Sequence, residues 1–142
     1  MKFWDASAVV PLLVDEPGRD QLLELVDDDP VVLAWWGTPI ECVSALARRE
    51  REGALPAKAV SLATERLRAL AESWQEILPT EAVRVTAQRL LRTHPLRAAD
   101  ALQLAAAVVA ADRSPADLPF VCLDERLGEA AEREGFKVVA GD

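Results

Sequence analysis

Two hydrophobic patterns alternate along the chain. Short apolar runs, of a length typical of buried strands, are separated by longer segments in which apolar residues recur every three or four positions. The predicted strands are residues 2–5, 31–36, 74–78, 119–123 and 136–140. The predicted helices are residues 6–14, 18–26, 38–53, 54–73, 80–94, 97–111 and 124–135. This alternation predicts an α/β fold, in which a parallel sheet is covered by helices on both faces.

The helix after the second strand carries clear boundary signals. Thr38 is predicted as its N-cap, and Glu41, three residues later, completes the pattern of a capping box. On a helical wheel Glu41 lies opposite Val43, Leu46 and Ala47. Periodicity alone therefore places Glu41 on a solvated face.

Length and composition favour a single globular domain over residues 1–142. The longest uninterrupted apolar stretch, residues 104–111, is far shorter than the roughly 20 residues that cross a bilayer. No secretory signal pattern is found, so we expect a cytoplasmic protein without a membrane anchor. Cys42 and Cys122 lack metal-ligand spacing, and we expect both to be reduced and buried.

Acidic residues outnumber basic ones by 24 to 16, which gives a net charge of −8. This balance argues against nonspecific coating of nucleic acid, which requires a basic surface. It permits a metal-dependent site, where cations screen the acids, or a basic protein partner. Basic residues cluster in residues 48–51 and 84–97, whereas Asp27 to Asp29 are predicted to form a solvated loop.

Four carboxylates stand at the places where an α/β sheet binds ligands, at the carboxyl ends of strands and the first turns of helices. Asp5 and Asp124 follow predicted strands, and Glu41 and Asp100 lie in predicted first helical turns. Taken singly, each also fits a helix cap or an acid facing the helix dipole. Their wide separation in sequence leaves their convergence in space open.

Asp100 is the hardest of these acids to explain by local structure. Between residues 98 and 111 it is the one charged side chain in an otherwise apolar run that is interrupted by Gln103. An isolated carboxylate in such surroundings raises its pKa and becomes neutral. A bound divalent cation would keep it charged, and hard cations such as Mg²⁺ and Mn²⁺ prefer carboxylate oxygens. The sequence therefore favours a metal ligand at this position.

The segments that hold these acids, read in order, are KFWDAS, PIECVSALARR, LRAADALQLAAA and VCLDERLGEAA. In this order the chain resembles the PIN domain family, and within it the toxins of VapBC-type toxin–antitoxin pairs. The resemblance implies a three-layer α/β/α sandwich with a short, mainly parallel central sheet. It extends over essentially the whole chain.

The same resemblance implies a function. Asp5, Glu41, Asp100 and Asp124 would be the catalytic cluster that holds Mg²⁺ or Mn²⁺, and Ser7 would be a hydroxyl that supports a ligand. Family members hydrolyse RNA with metal-activated water and leave a 5′-phosphate and a 3′-hydroxyl. A homodimer and a small antitoxin, whose tail reaches into the acidic groove, are the implied protein partners.

One departure and several alternatives accompany this interpretation. Cys122 occupies a position where family members commonly carry Thr or Ser, and a thiol forms weaker hydrogen bonds. An RNA-processing PIN nuclease without a toxin role, and a PIN-like domain retained only for binding, fit the same residues. Haloacid-dehalogenase-type and receiver domains fit less well, because Ser7 stands where the former needs a second acid and Lys137 opens the last strand instead of closing one.

The sequence allows more than one role for each of four further residues. Trp35 and Trp36 are adjacent on a predicted strand, so only one is expected in the core, and the other suits an interface or a base. His94, the only histidine, is expected to be structural or to lie near a phosphate rather than to act as a base. Arg97 suits either a phosphate or a nearby acid.

Overall fold

The computed structural model describes residues 1–140 and contains, within them, five strands connected by seven α-helices. The strands are β1 (Lys2–Trp4), β2 (Val32–Trp35), β3 (Gln75–Ile77), β4 (Phe120–Val121) and β5 (Val138–Val139). The helices are α1 (Ala6–Leu13), α2 (Arg19–Asp28), α3 (Thr38–Arg51), α4 (Ala57–Ser73), α5 (Glu81–Thr93), α6 (Ala98–Ala111) and α7 (Glu125–Arg133). All strand pairs are parallel, in the order β3-β2-β1-β4-β5, which confirms the predicted α/β fold.

Successive apolar side chains of β1, β2, β4 and β5 alternate between two hydrophobic cores, one on each face of the sheet. Phe3 of β1 lies in one core and stacks on Phe120 of β4 with ring centroids 5.4 Å apart, whereas the adjacent Trp4 lies in the other. Helices α5, α6 and α7 cover the Phe3 face, and α1 to α4 cover the Trp4 face. The result is the expected three-layer sandwich.

The strand order reverses direction between β1 and β4. From β1 the chain adds β2 and β3 on one side, and it then returns to add β4 and β5 on the other side. Crossover helices leave β1 and β4 toward opposite faces, so a crevice opens beyond the carboxyl ends of these two strands. Asp5 directly follows β1, and Cys122 to Asp124 follow β4.

The structure corrects the predicted start and faces of α3. Gly37, not Thr38, occupies the N-cap position, and no side chain caps this helix. Thr38 is fully buried, because its side chain turns into the protein instead of toward the helix N-terminus. The buried face also includes Leu46, whereas Val43 is 49% exposed. Glu41 is consequently half-buried and not on a solvated face.

The expected acidic loop before β2 is also corrected. Asp27 and Asp28 belong to the last turn of α2, where negative charge is unfavourable for the helix dipole. Nearby cations offset this cost: the terminal ammonium group of Met1 pairs with Asp29, and the Lys2 ammonium lies 3.5 Å from Asp28. The helix therefore continues through residues that were expected to be irregular.

The expectation that only one of the two adjacent tryptophans is in the core is confirmed. Trp35 is buried among the residues of the Phe3 face, whereas Trp36 is 47% exposed. None of the helices within residues 1–140 combines the length and the apolar character needed to cross a bilayer. Both cysteines are buried free thiols, as expected.

Candidate active site

All four predicted site acids line one cavity of about 440 Å³ in the crevice at the end of β1 and β4. Asp5 and Asp124 come from the two strand ends, and Glu41 and Asp100 come from the first turns of α3 and α6. Ser7 and Arg48 also line this cavity. Residues that are far apart in sequence thus face the same space.

Asp5 lies deepest in the cavity and is 4% exposed. Its Oδ2 accepts hydrogen bonds from the Ser7 amide at 3.1 Å and from Ser7 Oγ at 2.5 Å. Burial raises the pKa of Asp5, the Ser7 bonds oppose that rise, and the charge of Asp100 adds to it. The hydrogen bonds from Ser7 therefore compensate only part of the cost of burying the Asp5 charge.

Ser7 connects the two strand ends. Its Oγ donates to Asp5 and accepts a hydrogen bond from the Leu123 amide at 2.9 Å. This pair of bonds fixes the segment after β4 against the segment after β1. The predicted support of Asp5 by a hydroxyl thus has a direct geometric basis in this chain.

Cys122 lies beside the same pair of residues. Its Sγ is 3.7 Å from both Asp5 Oδ2 and Ser7 Oγ, and it lies 3.2 Å from the carbonyl oxygen of Asp124. Burial raises the pKa of the Cys122 thiol to about 12, so the group stays protonated. The thiol is a weak donor at the place of the usual hydroxyl, and Ser7 supplies the strong bond to Asp5.

Asp124 and Asp100 form the outer part of the cavity. Asp124 is exposed and caps α7, because its Oδ1 accepts from the Leu127 amide at 2.9 Å. Burial and then the nearby Asp124 charge raise the pKa of Asp100, whereas Arg97 and Arg126 lower it. The local capping role proposed for Asp124 is therefore real, and it is compatible with a place at the cavity.

Glu41 faces the cavity from α3 and binds a residue of α6. Its Oε2 accepts a hydrogen bond from Gln103 Nε2. Burial raises the pKa of Glu41 to about 7, with further contributions from Asp5 and Asp100, and the Gln103 bond opposes the rise. The charged carboxylates of Glu41, Asp5 and Asp100 therefore repel one another in the cavity.

The donor set fits a hard divalent cation, because four carboxylates face one cavity and their mutual repulsion is relieved by a positive charge. Within residues 1–140, however, no group of three or more His, Cys, Asp or Glu side chains is positioned to hold an ion as it stands. Ion binding therefore requires side-chain rotation or retained water ligands, the latter being usual for Mg²⁺.

Basic side chains border the acids. Arg48 lies seven residues after Glu41 and shares its helical face, while Arg97 and Arg126 lie near Asp100. Among the ion pairs found in residues 1–140, none involves these three arginines. They are available to contact an anionic ligand at the cavity rim.

His94 takes no part in the cavity. Its buried Nε2 lies 2.7 Å from Glu134 Oε2, and the same carboxylate binds Arg89 at 2.8 Å. Hydrogen bonding to Arg89 and then to His94 lowers the pKa of Glu134. The structural role expected for His94 is what the geometry shows, since it joins the end of α5 to the end of α7.

Sequence reasoning missed two polar residues of the site, Gln103 and Thr38. Gln103 is fully buried and donates to both Thr38 Oγ1, at 3.0 Å, and Glu41. The available signal was its position, because a neutral polar residue three places after Asp100 shares the face of α6 that carries that acid. The partner helix was not identifiable from this spacing.

Comparisons with known proteins identify the family and the fold of the chain. The family model of the PIN domain matches residues 2–133. FitAcB from Neisseria gonorrhoeae has a TM-score of 0.68 at 18% identity, over 99% of this chain and 98% of that chain. A toxin–antitoxin complex from Klebsiella pneumoniae has a TM-score of 0.66 at 14% identity, over 100% and 98%.

A third similar structure is VapC20 from Mycobacterium tuberculosis, described as a sarcin–ricin loop cleaving toxin. Its TM-score is 0.68 at 18% identity, and the match covers 96% of each chain. No curated protein matches the chain in sequence. At these identities the structural matches establish the fold, and the family model establishes the family.

Proposed function

The chain belongs to the PIN domain family, and we propose that it is a Mg²⁺- or Mn²⁺-dependent endoribonuclease, the toxin of a VapBC-type toxin–antitoxin pair. PIN domains are generally nucleases. The single observation that carries the proposal is the cavity onto which Asp5, Glu41, Asp100 and Asp124 all face. Similarity in fold to toxin structures supports the assignment to the toxin branch.

The four carboxylates would hold the cation, and Asp5 is the most deeply buried of them. A bound Mg²⁺ or Mn²⁺ supplies charge to offset the scissile phosphate and lowers the pKa of water. Ser7 keeps the Asp5 carboxylate oriented through its two hydrogen bonds. The thiol of Cys122, protonated and buried, is not suited to attack a phosphate.

The arginines at the rim would bind the RNA backbone. Arg48 lies on one wall of the cavity, and Arg97 and Arg126 lie near Asp100. Guanidinium groups bind phosphate through paired hydrogen bonds, so they offset the repulsion between an acidic protein and a polyanion. This arrangement would allow a chain of net charge −8 to bind RNA locally.

The protein partners proposed for this enzyme are a second copy of the chain and a small antitoxin in the cytoplasm. The acidic cavity would attract a basic antitoxin tail, which would cover the carboxylates. The exposed Trp36, followed by Ile40 and Val43 on α3, forms an apolar surface suited to a homodimer contact.

Cleavage of total RNA by the purified protein tests the activity. We expect Mg²⁺- or Mn²⁺-dependent products with 5′-phosphate ends, and suppression by a chelator. Asp5→Asn and Asp100→Asn should each lower the rate by at least about a hundredfold, because charge stabilisation at the phosphate is lost. The matched control is Asp117→Asn, an exposed acid outside the cavity, which should keep full activity.

A non-catalytic PIN-like binding domain is the second candidate, because Arg48, Arg97 and Arg126 would contact an RNA backbone with or without hydrolysis. The binding-domain candidate replaces the nuclease if the wild type binds RNA but does not cleave it with either metal. In that case Asp5→Asn and Asp100→Asn should behave like the wild type. Cleavage that persists in a chelator would also contradict the metal-dependent proposal.

A further inference from the structure

Gln103 is a buried polar side chain that joins the two helices bearing Glu41 and Asp100. It is 0% exposed, and its Nε2 donates to Thr38 Oγ1 at 3.0 Å and to Glu41 Oε2. Its Oε1 is buried and has no partner within residues 1–140. The amide nitrogen thus donates two hydrogen bonds, whereas the amide oxygen accepts none within residues 1–140.

The chemistry of the partners fixes the orientation of this amide. The ionised carboxylate of Glu41 accepts hydrogen bonds but does not donate them, so the amide nitrogen faces Glu41 in the charged form that would hold a cation. An unpartnered buried oxygen destabilises the fold, whereas a methionine or leucine would fill a similar volume without it. Packing alone therefore does not account for an amide at this position, and its bond to Glu41 does.

Helical spacing places this bond between two site acids. Asp100 and Gln103 are three residues apart on α6, and Thr38 and Glu41 are three residues apart on α3, so each pair shares a helical face. The two hydrogens of one nitrogen reach both members of the α3 pair. The amide thereby sets where Glu41 lies relative to Asp100.

We propose that Gln103 is a positioning residue, which holds the Glu41 carboxylate toward Asp100 in the geometry that binds the divalent cation. The inference rests on the proposed function, because it concerns the same metal site. Residues that orient metal ligands by hydrogen bonds typically change metal affinity by 10- to 100-fold when removed. Gln103 acts through Glu41 and is not itself a ligand.

Calorimetric titration of the metal-free protein with MnCl₂ tests this role without any RNA. Gln103→Met keeps the side-chain volume and removes the donor, and we expect its Mn²⁺ Kd to rise about 10- to 100-fold. In a Glu41→Gln background the same substitution should change the Kd by less than about threefold, because the positioned carboxylate is already absent.

Thr38→Val is the matched control, because it removes the other partner of the same nitrogen and leaves the bond to Glu41. A residue that merely docks α3 on α6 would make Thr38→Val and Gln103→Met behave alike. We expect Thr38→Val to keep the Mn²⁺ Kd within about threefold of the wild type. Equal losses in the two variants would overturn the positioning role.

The outcomes separate the two proposals. Wild-type protein that does not bind Mn²⁺ contradicts the metal-dependent function itself. Wild-type protein that binds Mn²⁺, together with Gln103→Met that binds it equally well, contradicts only the role of Gln103. If Gln103→Met does not fold, Gln103→Asn replaces it, since an amide that is one methylene shorter does not span both partners and should show the same loss.

Discussion

At the scale of one residue, Asp5 shows that the metal-free site holds a buried negative charge without a cation beside it. Its carboxylate is almost fully buried, yet its close partners are the amide and hydroxyl of Ser7 and the weak thiol of Cys122. A buried carboxylate without a cation is costly, and neighbouring acids increase that cost. The metal-free protein therefore carries a free-energy cost that removal of an acid would relieve.

Glu41→Gln should stabilise the metal-free protein at pH 8 and not at pH 4. Because the pKa of Glu41 is about 7 in the folded state and ordinarily 4.5, the folded state binds more protons between these values. The free energy of unfolding of the wild type therefore falls as the pH rises through this window. The Glu41→Gln variant does not show this fall, because its amide does not ionise. Because Glu41 keeps partial contact with water, we expect Glu41→Gln to raise the free energy of unfolding at pH 8 by about 1–2 kcal/mol.

Urea unfolding in a chelator at the two pH values measures this effect. Glu65→Gln, an exposed glutamate on α4, is the control and should show no pH-dependent difference from the wild type. A Glu41→Gln effect that is the same at pH 4 and pH 8 would contradict the raised pKa.

Residues of the site differ in how visible they are in the sequence. Asp100 is visible because a charge in an apolar helix conflicts with its surroundings, and Asp5 because it follows a strand. Gln103 is not, because its meaning depends on Glu41, which is 62 positions away and becomes its neighbour only through the packing of α6 near α3. Side-chain contacts between helices carry no local pattern.

At the scale of one element, α3 shows a limit of periodicity. Its buried stripe follows Thr38, Cys42 and Leu46, whereas the apolar Val43 points outward. Apolar residues at a functional surface or an interface break the simple rule that the apolar face is the core face. The prediction that Glu41 lies on a solvated face is wrong for this reason, because it requires Val43 to lie on the core face.

Two alanine substitutions on α3 test the corrected face. Leu46→Ala should lower the free energy of unfolding by about 2–4 kcal/mol, because Leu46 is 1% exposed within the Trp4-side core. In a Trp36→Ala/Ile40→Ser background, where the proposed homodimer contact is absent, Val43→Ala should change it by no more than about 0.5 kcal/mol. Urea unfolding of both variants measures the difference, and comparable losses would return Val43 to the core.

The short elements show a second limit. The sequence predicts strands at residues 119–123 and 136–140, but β4 and β5 each pair over only two residues. Paired backbone length depends on where the neighbouring strand ends, which the local pattern does not contain. The alternation of elements, by contrast, depends on hydrophobic period alone and was predicted correctly.

At the scale of the whole molecule, sheet order brings the site together. Because β1 and β4 are adjacent in the sheet, Asp5 and Asp124 meet although they are 119 positions apart. The sequence pattern indicated a parallel sheet but did not by itself order the strands. The resemblance to PIN domains, which the family match over residues 2–133 confirms, implied a short, mainly parallel sheet and no strand order.

The proposed homodimer is a prediction at this scale. Sedimentation equilibrium at low micromolar concentration should give twice the monomer mass for the wild type and the monomer mass for a Trp36→Ala/Ile40→Ser double variant. These side chains are 47% and 64% exposed, so the variant should stay folded. Leu62→Ser, on the exposed side of α4, is the control and should remain dimeric. A monomeric wild type, or an unchanged double variant, would contradict this interface.

Thermal unfolding with and without Mn²⁺, for the wild type and for Asp100→Asn, tests the central claim that the four acids form a metal site. A ligand that binds only the folded state stabilises it by about 2.7 kcal/mol at a hundredfold excess over Kd. We predict that Mn²⁺ raises the Tm of the wild type and of Asp117→Asn but not of Asp100→Asn. We also predict that metal-free Asp100→Asn is more stable than the metal-free wild type. An unchanged wild-type Tm in saturating Mn²⁺ would contradict it.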